Sequence, residues 1–248
     1  MGHIFTFKDA VDYEKVLNSA QGRFIMDLQK NFFLKMLKPE PGETALDIGC
    51  GTGANLVALI DSGLSVTGID ASPYMLDIAG KKVKNRVPLH RGVAESLPFE
   101  DNSFNHACLI TTLEFVDDAD KVLEEACRVA KDRLFIGYLN IYALVGAWRR
   151  VNGMFRSSIY NHAAFFSSGD LKRRINRLMG DVPITCRTIG QFPAGKSEII
   201  KKAESLEIVQ RFPFGAFGGM VVTLVPKYKT RPLSLPIGPN RTESPAAG

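Results

Sequence analysis

The chain is expected to fold as a doubly wound α/β domain, and three features of its sequence say so. Short apolar stretches of strand length alternate with amphipathic stretches of helix length between residues 44 and 139. A glycine turn, Gly49-Cys-Gly-Thr-Gly53, joins the first strand to its helix. The second strand ends on an acid, Asp70. Such alternation gives a mostly parallel sheet with helices on both faces, and right-handed crossovers make the winding double. Ligands of these sheets sit at the carboxyl ends of the strands, where strand order reverses.

The elements follow in order. Val16, Leu17, Phe24, Ile25, Leu28, Phe32, Leu34 and Leu37 recur at helical spacing, with Gly22 as the expected interruption and Pro39, Pro41 and Gly42 as the stop. Residues 44–48 read as a buried strand and 54–62 as a helix with Gly63 at its end. Residues 65–69 are the next strand. Ser72 and Pro73 start a helix that runs to about Lys84, since serine caps and proline suits the first turn. Strands are expected at 87–91, 105–111 and 133–139, with a helix over 117–131 between the last two. Beyond them lie an aromatic and basic stretch at 141–165 and a basic helix at 167–179. A strand at 183–189, a helix at 196–206 and a strand at 219–225 complete the seven-stranded set. From Pro226 the composition reads as a flexible tail.

Composition narrows the class. The 248 residues are 45% hydrophobic and 23% charged, which is globular. No apolar run reaches transmembrane length, and the first residues lack the pattern of a secretory signal. Four cysteines stand far apart without a CxxC pair, which argues against a zinc finger or disulfide scaffold and fits a cytoplasmic location. The histidines are not spaced as a metal site, so no metal is expected. The net charge of +5 conceals a division: residues 1–140 carry −5, residues 141–212 carry +7 and residues 213–248 carry +3.

The glycine turn is the strongest chemical signal. Glycines let the backbone turn sharply and approach a ligand closely. Asp47, just before them, can face a cation or an amino group, and Asp70 can accept hydrogen bonds from ribose hydroxyls. A nucleoside with a positively charged amino-acid tail would suit both carboxylates. The rival ligand is a dinucleotide, because Gly49-x-Gly51-x-x-Ala54 fits that fingerprint and Asp70 lies at a suitable distance. Asp47 would place negative charge near a diphosphate, which argues against it. No GxxxxGK[ST] phosphate loop occurs.

Four segments in order, Leu46-Asp-Ile-Gly-Cys-Gly-Thr-Gly53, Gly68-Ile-Asp-Ala-Ser-Pro-Tyr-Met75, Gly92-Val-Ala-Glu-Ser-Leu-Pro-Phe99 and Thr111-Thr-Leu-Glu-Phe-Val-Asp117, resemble the class I S-adenosylmethionine-dependent methyltransferases of the small-molecule, type 11 kind. The resemblance implies a Rossmann-like sheet of seven strands with a lid insertion, and S-adenosyl-L-methionine as methyl donor. It implies one domain over 1–225, made of a leading helical segment (1–40), a donor-binding core (44–140) and a basic acceptor or lid region (141–212), followed by the tail at 226–248. Residue by residue, it sets Gly49, Cys50, Gly51 and Gly53 under the methionine part with Asp47 near its amino group. Asp70 would hold the ribose, Ala71 and Met75 would flank the adenine, and Ala94 would offer its amide to the ring with Glu95 beside it. Thr111 would face the sulfonium, and Tyr13 would close over the donor. Two positions depart from the family's commoner pattern: Val93 replaces an acid expected to meet the adenine amino group, and Asn105 replaces an aspartate at the start of the fourth strand.

Methyl transfer from a sulfonium is a direct displacement, and a general base is needed only where the acceptor must lose a proton. His162 and Tyr160, after the fifth strand, are the candidates for that role. Thr111-Thr-Leu-Glu114 stands where amino-methylating enzymes of nucleic acids keep Asn-Pro-Pro-Tyr, and there is no added RNA-binding module, so a small-molecule acceptor is favoured over nucleic acid. Aromatic residues interleave with Arg149, Arg150 and Arg156, which allows an anionic acceptor or peripheral membrane contact. The alternatives are a tRNA or rRNA methyltransferase using the basic 141–212 region, and a donor-binding protein without catalysis.

Overall fold

A computed structural model describes residues 2–84, 86–143, 163–192 and 198–224. Helices α1 (Phe7–Asn18) and α2 (Ala20–Leu37) lead into β1 (Thr44–Ile48), α3 (Ala54–Asp61), β2 (Ser65–Asp70), α4 (Pro73–Val83) and β3 (Leu89–Arg91). Then come β4 (Phe104–Ile110), a 3₁₀ turn (Leu113–Phe115), α5 (Ala119–Val129) and β5 (Ala130–Leu139). The remainder is α6 (Ser168–Met179), β6 (Ile184–Ile189), α7 (Glu198–Ser205), α8 (Glu207–Gln210) and β7 (Phe217–Thr223).

The seven strands form one sheet in the order β3-β2-β1-β4-β5-β7-β6. The pairings among β1 to β5 are parallel, and β7 runs antiparallel between β5 and β6. This is the doubly wound sheet expected from the alternation, with its order reversing between β1 and β4. Two cores explain why the central strands are apolar throughout. Leu46, Ile48, Leu109 and Ile136 face α5 and α6 on one side, through Val122, Leu123, Leu171 and Ile175. Ala45, Cys108, Phe135 and Val221 face Phe32, Phe33, Leu56 and Leu59 on the other. Strands buried on both faces cannot alternate polar and apolar residues.

The boundaries moved for identifiable reasons. The leading helix breaks at Ser19, not at Gly22. Ser19 closes α1 and caps α2, its hydroxyl accepting the N–H of Gly22 at 3.0 Å. Gly22 serves instead as a contact point: a Cβ there would lie 2.0 Å from the Val16 carbonyl oxygen. β3 starts at Leu89 and not at Val87, because Pro88 has no N–H to donate. β5 starts at Ala130, immediately after α5, not at Arg133. β7 covers 217–223 rather than 219–225, and its start was hidden by Gly218 and Gly219, which carry little strand propensity. The short α8 was not anticipated. The expected flexible tail at 226–248 and most of the 141–165 stretch fall outside the described residues.

Those two glycines are required by packing. A Cβ at Gly218 would meet the Tyr138 ring at 2.2 Å, and one at Gly219 would meet Phe32 at 2.6 Å. Tyr138 is fully buried in the centre of the sheet and has nowhere to retreat. Gly218→Ala should therefore cost about 2–3 kcal/mol through overpacking. For a domain of this size that is a fall of roughly 5–10 °C in Tm, measured by thermal unfolding; an unchanged Tm would show that the sheet has slack here.

Candidate functional site

The strand ends at the β1/β4 reversal open into a pocket. The glycine turn is shaped for it: Gly49, Gly51 and Gly53 all have positive φ, at 70°, 52° and 79°. Gly49 and Cys50 donate their N–H groups to the Ile69 carbonyl at 2.8 and 3.0 Å, which draws the turn over the end of β2. Asp70 then fixes it from the side. One carboxylate oxygen accepts the N–H of Gly51 at 2.8 Å, and the other accepts the N–H of Ser72 at 2.8 Å. Asp70 thus holds both the turn and the start of α4, with lone pairs left for a ligand. Burial raises its carboxyl above the usual range, and the two N–H groups oppose that rise.

Asp47 lies behind the turn. Its side chain is wholly buried, and neither carboxylate oxygen has a hydrogen-bond partner among the described residues. Burial first, and then the charge of Asp70, raise its carboxyl to about 8. An ionised carboxylate with no partner is costly, so this one is suited to a cation lodged on the far side of the turn. Cys50 and Cys108 beside it are pushed well above the ordinary thiol range, by burial and then by Asp47, and carry no thiolate chemistry.

The pocket wall includes Gly49, Cys50, Gly51, Asp70, Ala71, Met75, Ala94, Glu95, Thr111 and Tyr13. Every binding residue expected from the sequence is therefore on it except Asp47, behind it, and Gly53. Gly53 caps α3, and its missing Cβ lets α3 approach Ala79 of α4. Thr111 has a φ of 53°, a left-handed conformation that β-branched residues rarely take. The strain stands at the end of β4, where functional strain concentrates. The loop bearing Ala94 and Glu95 is tied down twice. Glu95 accepts the N–H of Asp117 at 3.2 Å, and Glu125 accepts the N–H of Leu97 at 2.8 Å while Arg128 binds the Leu97 and Phe99 carbonyls.

The remaining candidates and the histidines lie elsewhere. Tyr160 and His162 fall outside the described residues. His106 is buried against Glu43 at 2.7 Å, at the opposite end of the sheet, and is structural. Asn105 binds Thr44 and Asp132, so the exchange at this position keeps a structural hydrogen bond. His90 packs edge-on against Phe99 and is off the wall.

Sequence reasoning missed the segment before α1. His3, Ile4 and Phe5 form part of the wall. His3 donates its N–H to the Phe115 carbonyl at 2.9 Å, and the Ser72 hydroxyl donates to the Phe5 carbonyl at 2.7 Å. Phe5 meets Phe115 edge-on at 5.0 Å. Glu114 was also missed as a buried acid. It accepts the N–H of Leu139 at 2.6 Å, and burial raises its carboxyl to about 7. Its carbonyl accepts the N–H of Ala164, so Glu114 joins the ends of β4 and β5 to the chain returning at Ala164.

Comparison with known proteins places this geometry. The methyltransferase domain family of type 11 matches residues 46–135. A demethylmenaquinone methyltransferase of Lactobacillus johnsonii is 39% identical over 119 residues, which is 45% of this chain and 48% of that protein. The chain thus spans about half the length of the curated relatives it matches. A solved S-adenosylmethionine-dependent methyltransferase of Thermotoga maritima, described as a possible histamine N-methyltransferase, is 28% identical. It superposes with a TM-score of 0.69 over 88% of this chain and 96% of its own. The magnesium protoporphyrin IX methyltransferase of Synechocystis PCC 6803, solved with bound S-adenosylhomocysteine, shares the fold at 13% identity, with a TM-score of 0.62 over 86% of this chain and 93% of its own.

The orphaned carboxylate has a thermodynamic signature. With Asp47 raised from 3.8 to about 8, the folded ligand-free chain holds a proton that the unfolded chain releases. This contribution to stability is intact below about pH 4, declines as the pH rises to about 8, and is flat above. Asp47→Asn should match the parent near pH 4 and exceed it at pH 8, as read from denaturant midpoints at the two values. A variant less stable than the parent at both would mean that Asp47 is held by a partner.

Proposed function

The chain belongs to the class I S-adenosylmethionine-dependent methyltransferases of the type 11 family, and we propose that it moves a methyl group from S-adenosylmethionine to a small apolar acceptor. One arrangement carries the reading: two carboxylates bracket a glycine turn at the strand-order reversal, Asp47 from behind and Asp70 on the wall. Together they suit a nucleoside that is cationic at its amino-acid end. Asp47's buried oxygens, partnerless among the described residues, suit such a cation.

In this reading the Gly49–Gly51 backbone underlies the methionine part of the donor, and Asp70 receives the ribose hydroxyls on its remaining lone pairs. Ala71 and Met75 flank the adenine, and Ala94 offers its N–H to the ring. When bound, the donor supplies an electrophilic methyl on a sulfonium. The task of the chain is then to align the acceptor and exclude water. Thr111 and Thr112 fix the floor, and Phe5, Tyr13 and Phe115 form an aromatic cover.

The acceptor class follows from the rest of the wall. Ile4, Phe5, Met26, Ile110, Phe115 and Val116 are apolar, which suits a hydrophobic molecule better than a sugar or a nucleic-acid base. Relatives named for demethylmenaquinone, together with a sterol 4-C-methyltransferase of Caenorhabditis elegans 34% identical over 91 residues, 35% of this chain and 27% of that protein, point the same way.

Titration calorimetry with S-adenosylhomocysteine tests the donor site directly. Asp70→Ala should weaken binding by about 10–150-fold, the loss expected for hydrogen bonds to a charged group. Asp70→Asn, which keeps one acceptor oxygen, should fall between. A second readout concerns Asp47. The ammonium at the ligand's amino-acid end favours the ionised form of Asp47, so affinity should rise between pH 5.5 and 7.5, by at most about tenfold per unit. Asp47→Asn should flatten that rise. Failure of the parent chain to bind the nucleoside at any pH would overturn the proposal.

A further inference from the structure

The glycine turn is held at two neighbouring residues. Asp70 accepts the N–H of Gly51 from within the pocket wall. Thr52 is held by Lys82, which lies in the last turn of α4 and off the wall. The Lys82 ammonium donates to the Glu14 carboxylate of α1 at 2.7 Å and to the Thr52 hydroxyl at 3.2 Å. Thr52 stands between Gly51 and Gly53, is buried, and forms part of the wall. Three side chains thus join α1, α4 and the turn at one point. Burial works to raise the Glu14 carboxyl, but hydrogen bonds with Lys82 and Thr52 outweigh it and hold the carboxyl below its ordinary range. Lys82 and Glu14 keep 29% and 19% of their side-chain surface exposed, so water screens the pair only in part.

Packing alone holds α1 weakly. Among the described residues, no residue of α1 belongs to either core, and Ala10 is the one residue of the helix that is buried. Phe7 and Val16 on the same helix are exposed. The next helix differs: α2 sends Phe32, Phe33 and Leu37 into the core. Between the two helices stands Ser19 in an extended conformation, and a residue at a helix end can absorb a change of angle. Segments with few buried apolar contacts are the ones that open first. Yet Tyr13 of α1 belongs to the pocket wall, as do His3, Ile4 and Phe5 before it. The hydrogen bonds of His3 to Phe115 and of Ser72 to Phe5 lie before α1. The ion pair is on α1 itself, at the residue after Tyr13, and is placed to decide how long this side of the wall stays closed.

We infer that Lys82 is a positioning residue of the pocket: its ion pair with Glu14 keeps α1 closed against the glycine turn, and the pair must open before a bound nucleoside leaves. Lys82 acts on the ligand only through Thr52 and through the helix that carries Tyr13, since it is not on the wall itself. The contact is independent of the methyl-transfer reading above. The choice of S-adenosylhomocysteine as the probe rests on that reading.

Tritiated S-adenosylhomocysteine, bound to the full chain and chased with an excess of the unlabelled nucleoside, gives the release rate. Lys82→Met, which keeps the length of the stem and removes the charge, should speed release by about fivefold or more, while Lys82→Arg stays near the parent. Glu14→Gln should speed release as Lys82→Met does, and the two changes together should add little beyond either one. Added salt should speed release from the parent and not from Lys82→Met. A Lys82→Met chain that releases at the parent's rate would overturn the inference. So would Lys82→Arg releasing as fast as Lys82→Met, or two changes whose effects multiply. A parent that binds no S-adenosylhomocysteine would sink the methyl-transfer reading alone. Hydrogen exchange of the ligand-free chain then decides the inference: Lys82→Met should quicken exchange of the α1 amides and leave those of residues 32–37 in α2 at the parent's rate. Unchanged exchange in α1 would overturn it.

Discussion

The site depends on how closely the ends of β1 and β4 approach each other. Gly49 has no side chain, and the Thr112 side chain fills the place where its Cβ would be, 2.4 Å from that position. The Thr112 hydroxyl then donates to the Ile48 carbonyl at 2.8 Å. This single contact spans the point where strand order reverses. It ties the end of β1 to the segment after β4 where the glycine turn leaves the sheet. It also brings β4 to its end in a strained residue, Thr111 at a φ of 53°. Any side chain at position 49 would force the two strand ends apart, and the floor of the pocket is the first thing that separation would remove.

Asp70 converts that opening into a shaped site. By accepting from Gly51 and Ser72 it couples the glycine turn to the N-terminus of α4, and the Ser72 hydroxyl couples both to the segment before α1. A ligand hydroxyl on Asp70 would therefore meet a carboxylate already oriented by two backbone donors. Such preorganisation removes part of the entropic cost of binding. Asp47 is the opposite case: among the described residues nothing donates to it, and burial favours its protonated form until something cationic arrives. One acid is satisfied by the fold and the other, in the proposed reading, receives the ligand's ammonium.

Much of this was legible in the sequence because it is carried by local rules. Ser72-Pro73 marks a helix start by capping chemistry alone, and the glycine turn announces itself by spacing. The residues resembling a known family, from Asp47 to Thr111, all converged on the β1/β4 end. What could not be read depends on contacts distant in sequence. Gly22 looks like a helix breaker until Val16 is seen against it, and Gly218 looks like a strand breaker until Tyr138 is. His3 and Phe5 form part of the wall only because Phe115 and Ser72, about 70 residues or more away, accept and donate at the right places. Nothing local marks Glu114 as buried, and only the fold encloses it between β4 and β5.

The two ends of the sheet divide stability and function between them. At the amino end most polar groups are matched, Glu43 with His106 Nε2, Asn105 with Thr44 and Asp132, and Arg133 with the last carbonyls of α2, although the buried His106 Nδ1 has no partner among the described residues. These contacts close the end of the sheet and leave little for a ligand to join. At the carboxyl end the same chain keeps a partnerless buried carboxylate, a strained threonine and exposed aromatic rings. Each of these costs stability in the absence of a ligand or partner. A fold with a modest net margin can tolerate them only because the other end is well satisfied. The direction of that asymmetry argues for function at the carboxyl end independently of any motif. A partnerless buried carboxylate and exposed aromatic rings gathered at the end of the sheet where strand order reverses are groups awaiting something from outside the chain.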